Sequence, residues 1–233
     1  MIKVNMNKIN TIDYLLKSSE DIWQKYYYHP FVKGIEQGNL DKNKFRYYII
    51  QDFLYLEEYL KVFSIGIAKS TSIDTIKLFS KSLFSIVENE MSIHSGYMGK
   101  FKISKDELRK TKRELDNISY TSYMLRIAYE ESEVEIISAI LSCALSYELI
   151  ARKMIKDNPN CINDDFFGKW IKGYSSDEYK NDNRNLINAL NTLTENYTDE
   201  KLFHLNEIFN NCSKYELLFW NFSWNFNNQN EFL

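Results

Sequence analysis

Three short segments each set a group capable of proton transfer or nucleophilic attack among aromatic residues, at helical spacing. Asp52 lies in the run 45–56, where nearly every neighbour is apolar or aromatic. An ionised carboxylate without a partner is costly away from water, so an acid placed there is paired, protonated or part of a site. On a helix, Tyr48, Asp52, Tyr55 and Tyr59 share one face. Cys143 and Tyr147 stand at i, i+4 within the apolar stretch 138–148, and Glu216 precedes Phe219 and Trp220 by three and four residues. Two carboxylates and a thiol, each flanked by aromatics on a separate helix, could converge on one flat aromatic ligand. Each also has a plainer reading. Asp52 could be hydrogen-bonded to a core tyrosine or a helix end, and Cys143 could be a small buried hydrophobe.

As a nucleophile, Cys143 needs a base or a partner that lowers its pKa, and Asp52 or Glu216 could serve if the fold brings one within hydrogen-bond reach. Cys161 and Cys212 sit in polar stretches and read as loop or helix-edge cysteines. Three cysteines with no CxxC or zinc-type spacing are a poor basis for a disulfide framework. Glu90 and His94 form a Glu-x-x-x-His pair, which reads first as a structural hydrogen bond and second as two metal ligands. A carboxylate-bridged metal site in a bundle draws further inward Glu and His from other helices, and this chain has only 3 His. His29 reads as a helix-end residue and His204 as a surface residue. Tyr120, Tyr174 and Phe219 are either core or ligand walls.

The elements that must position these groups are helical. Only 7 Gly and 2 Pro occur in 233 residues, and the prolines fall at segment boundaries. Apolar periodicity predicts a first helix over 11–28 and a long one from an Asp41 N-cap to Gly66. A third covers 73–95, before a connection at Gly96 and Gly99. A charged helix over 104–117 precedes an apolar one opening at Ile118. Further helices cover 133–157 and 166–172, then a polar segment with Leu186, Ile187, Leu190 and Leu193, and finally 199–222. The expectation is an all-α, multi-helix bundle. It has a single helical catalytic domain over 1–225 and a loose tail over 226–233.

Composition narrows the function classes. A net charge of -3, with basic residues interleaved with acids, argues against a nucleic-acid footprint. The N-terminus lacks the apolar core of a signal peptide, and no stretch approaches the ~18 apolar residues of a membrane span. Both points lead to an expected cytoplasmic, thiol-reducing setting. The 15% aromatic content exceeds what a bundle core needs. Because AT-rich coding also enriches Tyr, Phe, Asn and Lys, no single aromatic residue is evidence of a site.

Taken together, the segments resemble the TenA family, also called thiaminase II or aminopyrimidine aminohydrolase. The resemblance runs through most of the chain: His29-Pro30-Phe31-Val32 with Gly34 and Gly38; Phe45 to Asp52 with Tyr55 and Leu56; Glu90 and His94; Ser119 to Ser122. It continues with Cys143 and Tyr147, Lys169 to Ile171 with Tyr174, and Tyr215-Glu216 with Phe219-Trp220. It implies a haem-oxygenase-like bundle assembling as a homotetramer. The implied activity is hydrolysis of an aminopyrimidine, or of thiamin, through a cysteine adduct, with no metal or organic cofactor. Cys143 would be the nucleophile, Glu216 the acid/base group, and Asp52 the carboxylate that orients ring and thiol. Tyr55, Tyr120, Tyr147, Tyr174 and Phe219 would frame the ring. Ala144-Leu145 departs from the larger aromatics many relatives carry after the cysteine, which bears on pocket shape. A metal-dependent oxidase of the same fold and a non-catalytic pyrimidine-binding protein are the alternatives.

Overall fold

A computed structural model describes residues 10–227, and among them every regular element is helical. In chain order the helices are α1 (Thr11–Ser18), α2 (Glu20–Tyr27), α3 (Pro30–Glu36), α4 (Lys42–Lys69), α5 (Ile73–Ser85) and α6 (Met91–Phe101). They continue as α7 (Lys105–Lys110), α8 (Leu115–Glu130), α9 (Glu133–Asp157), α10 (Gly168–Tyr174), α11 (Asp177–Leu193) and α12 (Asp199–Asn225). A π-turn, Ile86–Glu90, joins α5 to α6, and a 3-10 turn, Pro159–Asn163, follows α9. Side-chain caps start the long helices: Asp41 for α4, Ser72 for α5 and Thr198 for α12. Ser132 and Glu135 form a reciprocal capping box at α9.

Helix α9 is the axis of the bundle, packed against α12, α11, α8 and α10. It is long and apolar enough to cross a membrane, contrary to the sequence expectation, but 89% of its apolar window is buried inside the bundle. Buried serines on it bridge α9 to α12. Ser138 donates to the Leu205 carbonyl at 3.0 Å, and Ser142 pairs with Ser213 across α12 at 3.0 Å. Each satisfies a polar atom that an apolar core would otherwise leave unpaired.

Several boundaries differ from the sequence expectation, four of them for reasons the packing shows. The first helix breaks at Ser19, whose hydroxyl turns to the Leu15 carbonyl and to Asn210. The charged helix stops at Lys110, because Gln51 on α4 captures the extended segment behind it, donating to the Lys112 carbonyl and accepting from the Glu114 N–H. Helix α6 runs through Gly96 and Gly99 and turns only at Lys102, whose left-handed φ of 55° closes it with backbone bonds to Gly99 and Met98. The long helix passes Gly66 as well, because that glycine serves packing and does not break the helix.

A Cβ at Gly66 would stand 2.8–2.9 Å from three ring atoms of the fully buried Phe79. Gly66→Ala is therefore expected to destabilise the fold by about 1–2 kcal/mol, since overpacking outweighs the roughly 1 kcal/mol gain in helix propensity. Urea unfolding reads this directly, and a more stable variant would show that α5 yields freely. At the other end, Phe226 stacks on Tyr47 with ring centroids 4.1 Å apart, just past α12. The rest of the expected tail, 228–233, lies outside the described residues.

Candidate active site

Helix α4 carries Asp52 into the core, where it is 3% exposed. Its Oδ2 lies 2.7 Å from Nε2 of His94 on α6, and Nδ1 of that ring lies 2.9 Å from the Glu90 carbonyl. A carbonyl only accepts, so Nδ1 carries a proton. Nε2 then either donates to the Asp52 carboxylate or accepts from its acid form. Burial would lower the His94 pKa, but the hydrogen bond and charge of Asp52 outweigh it and raise the value, favouring the imidazolium–carboxylate pair. The expected Glu90–His94 side-chain bond is not the one formed: His94 uses Glu90's backbone, and the Glu90 carboxyl accepts from Tyr174 at 2.9 Å. With both ring nitrogens engaged, the pair offers no ready metal ligand set. Among the described residues no three of His, Cys, Asp and Glu are gathered as one.

Cys143 on α9 is 5% exposed, and its thiol pKa is pushed well above the ordinary value by burial, with Glu216 and then Glu90 adding to the effect. Glu216, on α12, faces the Tyr120 hydroxyl and the Cys143 thiol. Both favour its charged form, yet desolvation prevails and raises its pKa to about 8. Glu90 is raised to about 7 by burial and the charge of Asp52. The site thus combines the hydrogen-bonded Asp52–His94 pair, two carboxyls poised to exchange protons near neutral pH and a neutral thiol.

Aromatic rings enclose this group. Tyr55 packs on Tyr59, Tyr120 and Phe219 at centroid separations of 5.3, 5.2 and 5.9 Å. Tyr147 packs on Tyr174 at 4.8 Å. Trp170 donates its indole N–H to the Tyr48 hydroxyl at 3.3 Å. The buried hydroxyl of Tyr120 faces Glu216 without a well-aligned hydrogen bond. Burial holds Tyr48, Tyr55, Tyr59, Tyr120, Tyr147 and Tyr174 as neutral phenols, with pKa values well above the ordinary one.

A cavity of about 280 Å³ opens beside the thiol, walled by Cys143, Tyr59, Glu90, Tyr174, Tyr179 and Asn183 among others. Of the eight residues singled out from sequence for catalysis or ring binding, Cys143 and Tyr174 line this cavity. Asp52, Glu216, Tyr55, Tyr120 and Tyr147 lie within electrostatic reach of the thiol and Phe219 packs on Tyr55, but none of these six is on the cavity wall. Tyr179 and Asn183 went unnoticed because α11 reads as a polar surface helix. Their spacing with Leu186, at i, i+4 and i+7, was the available signal. Asn183 fixes α11 to α9 by donating to Glu148 at 2.8 Å and to the Ala144 carbonyl at 3.1 Å.

The remaining candidates fall elsewhere. Cys161 and Cys212 are not the loop and helix-edge residues their polar neighbours suggested: they are 4% and 0% exposed, because their own side chains face inward from otherwise polar segments. His29 caps α3, accepting the Phe31 N–H at 3.2 Å, and His204 is an exposed residue 3.3 Å from Glu131.

Residues 16–225 match the TENA/THI-4/PQQC family. An aminopyrimidine aminohydrolase of Helicobacter pylori is 42% identical over 211 residues, covering 91% of this chain and 97% of that protein. One from Bacillus subtilis is 32% identical, covering 85% and 83%. Among solved structures, a TenA homologue from P. horikoshii superposes with a TM-score of 0.82 at 28% identity, covering 93% of this chain and 99% of that one. A cyanobacterial haem oxygenase-1, from Synechocystis, superposes with a TM-score of 0.64 at 15% identity, covering 91% of each, which shows the shared all-α fold alone.

Proposed function

Because this chain belongs to the TENA/THI-4/PQQC family and is an enzyme of the hydrolase class, we propose that it is an aminopyrimidine aminohydrolase. It converts 4-amino-5-aminomethyl-2-methylpyrimidine to the hydroxymethylpyrimidine with release of ammonia, and it also hydrolyses thiamin, in salvage of the pyrimidine for thiamin synthesis. The observation that carries this reading is that Cys143 opens onto a cavity walled by Tyr59, Tyr174 and Tyr179, with Glu216 at its thiol and the buried Asp52–His94 pair within electrostatic reach.

The leaving group on the exocyclic methylene is poorly placed for direct displacement by water. Addition of the Cys143 sulfur to the ring breaks its aromaticity, and the ring electrons then expel the group. Water adds to the methylene, and the sulfur departs. A free thiolate is disfavoured here by burial and by the neighbouring carboxyls. Glu216 resolves this as a neutral acid: its O–H protonates a ring nitrogen while its carbonyl oxygen takes the thiol proton, so no isolated charge forms in a dry site. His94 anchors the Asp52 carboxylate by one oxygen, orienting it toward the amidine-like edge of the ring. Tyr55, Tyr120, Tyr147, Tyr174 and Phe219 frame the ring, and none of these steps requires a metal or organic cofactor.

Incubation with the aminomethylpyrimidine is expected to yield ammonia and the hydroxymethylpyrimidine in equal amounts, and thiamin the same pyrimidine plus the thiazole alcohol. Saturable binding without product would instead leave a pyrimidine-binding protein. Exposed Leu115 and Ile118 on α8 and Leu218 on α12 support self-association as the homotetramer, and the free thiols suit a cytoplasmic setting.

A further inference from the structure

The departing amine needs a proton, and the open space around Cys143 determines which group can supply it. Glu216 is 2% exposed and sits beside the fully buried Tyr120, and neither lines the open cavity. The cavity extends the other way, from Cys143 past Glu90 toward Ser85, Asn89, Glu178 and Asp182. A substituent leaving the ring methylene must pass along Glu90. The π-turn is what puts that carboxyl there, since it offsets Glu90 from the regular register between α5 and α6. Tyr174 holds one carboxyl oxygen at 2.9 Å, fixing its direction.

We propose, on the reading above, that Glu90 is a second catalytic acid/base, assigned to the leaving amine while Glu216 serves the ring and the thiol. A neutral amine takes the Glu90 proton, and an amine arriving protonated meets the carboxylate. Both give an ammonium against a carboxylate. The C–N bond then breaks with its electron pair going to nitrogen, the ring supplies the pair of the new exocyclic double bond, and NH₃ departs. The water that adds to the methylene gives its proton to Glu90 and restores the acid, so no oxidant or reductant is consumed.

A quaternary leaving group needs no such proton. The thiazolium nitrogen of thiamin, or a pyridinium on the same pyrimidine where thiamin is not accepted, leaves as a neutral ring. The test is Glu90→Gln, which retains the acceptor for Tyr174, assayed with the aminomethylpyrimidine and with the quaternary substrate. The ratio of the two kcat values is expected to fall about 100-fold, the size of a general-acid contribution. Loss of attraction for a cationic substrate weakens binding and raises KM, and so does not enter a ratio of kcat values. Glu90→Asp, which withdraws the carboxyl by one methylene, is expected to lower the ratio less, and it replaces the first variant if that one does not fold. An unchanged ratio in the folded variant would overturn the assignment and leave Glu90 as a support for Tyr174 and His94. Wild-type protein inactive on both substrates would instead overturn the aminohydrolase reading on which it rests.

Discussion

Cys143→Ala is expected to lower kcat for aminopyrimidine hydrolysis by roughly 10³-fold or more, because the addition that breaks ring aromaticity has no other thiol at the cavity wall. Binding should survive, since the framing aromatics and the Asp52–His94 pair are untouched. The side chain lost is small, and alanine already occupies the neighbouring position 144. The comparison variants are Cys161→Ala and Cys212→Ala, both expected to keep kcat within a few-fold. Cys212 is fully buried, so its replacement should still cost about 1 kcal/mol of stability. Steady-state kinetics with a binding isotherm for each variant separates the three thiols. Equal activity in all of them would remove Cys143 from the chemistry.

Glu216→Gln is expected to act in opposite directions on turnover and stability. Turnover should fall about 10²- to 10⁴-fold, since the amide cannot relay a proton between sulfur and ring nitrogen. Stability should rise, and the rise should depend on pH. In the folded protein the Glu216 carboxyl holds its proton up to about pH 8, whereas in the unfolded chain it ionises near the ordinary 4.5. The folded state therefore binds the extra proton between those limits. The wild type is not penalised below about pH 4.5 and loses stability progressively as the pH rises toward 8. Glutamine has no proton to lose, so the gap between variant and wild type should open over the same window. It should reach about 2–4 kcal/mol at pH 8, against a ceiling of roughly 5 kcal/mol. Denaturant unfolding at pH 5 and pH 8 measures it, and a gap that does not widen would mean that Glu216 is ionised in the folded protein.

The three chemical groups were legible in the sequence because each is a polar anomaly inside an apolar helix. Helical spacing then predicted their faces, and Tyr48, Asp52, Tyr55 and Tyr59 do lie together. The partnership of Asp52 with His94 was not legible. It joins residues 42 positions apart and depends on the π-turn that resets α6. No local periodicity encodes such an offset, so the same Glu90 and His94 that looked like a self-contained pair in fact serve two different partners. Gly66 and Gly96 misled because glycine also occurs inside a helix where a neighbour needs the missing side chain's space. At Gly66 that neighbour is Phe79 and at Gly96 it is the Lys169 ammonium; Gly99 has open space around it and no such reason. The inward face of α11 was hidden by its many Asn and charged residues, although Tyr179, Asn183 and Leu186 carry the pattern.

The most direct test of the account is turnover of 4-amino-5-aminomethyl-2-methylpyrimidine by chelator-treated wild type beside Cys143→Ala, with ammonia and hydroxymethylpyrimidine measured in the same samples. The account predicts the two products in a one-to-one ratio from the wild type and a near-absence of both from the variant, with the substrate still bound. Equal product from both proteins, or binding by the wild type with no ammonia released, would contradict it.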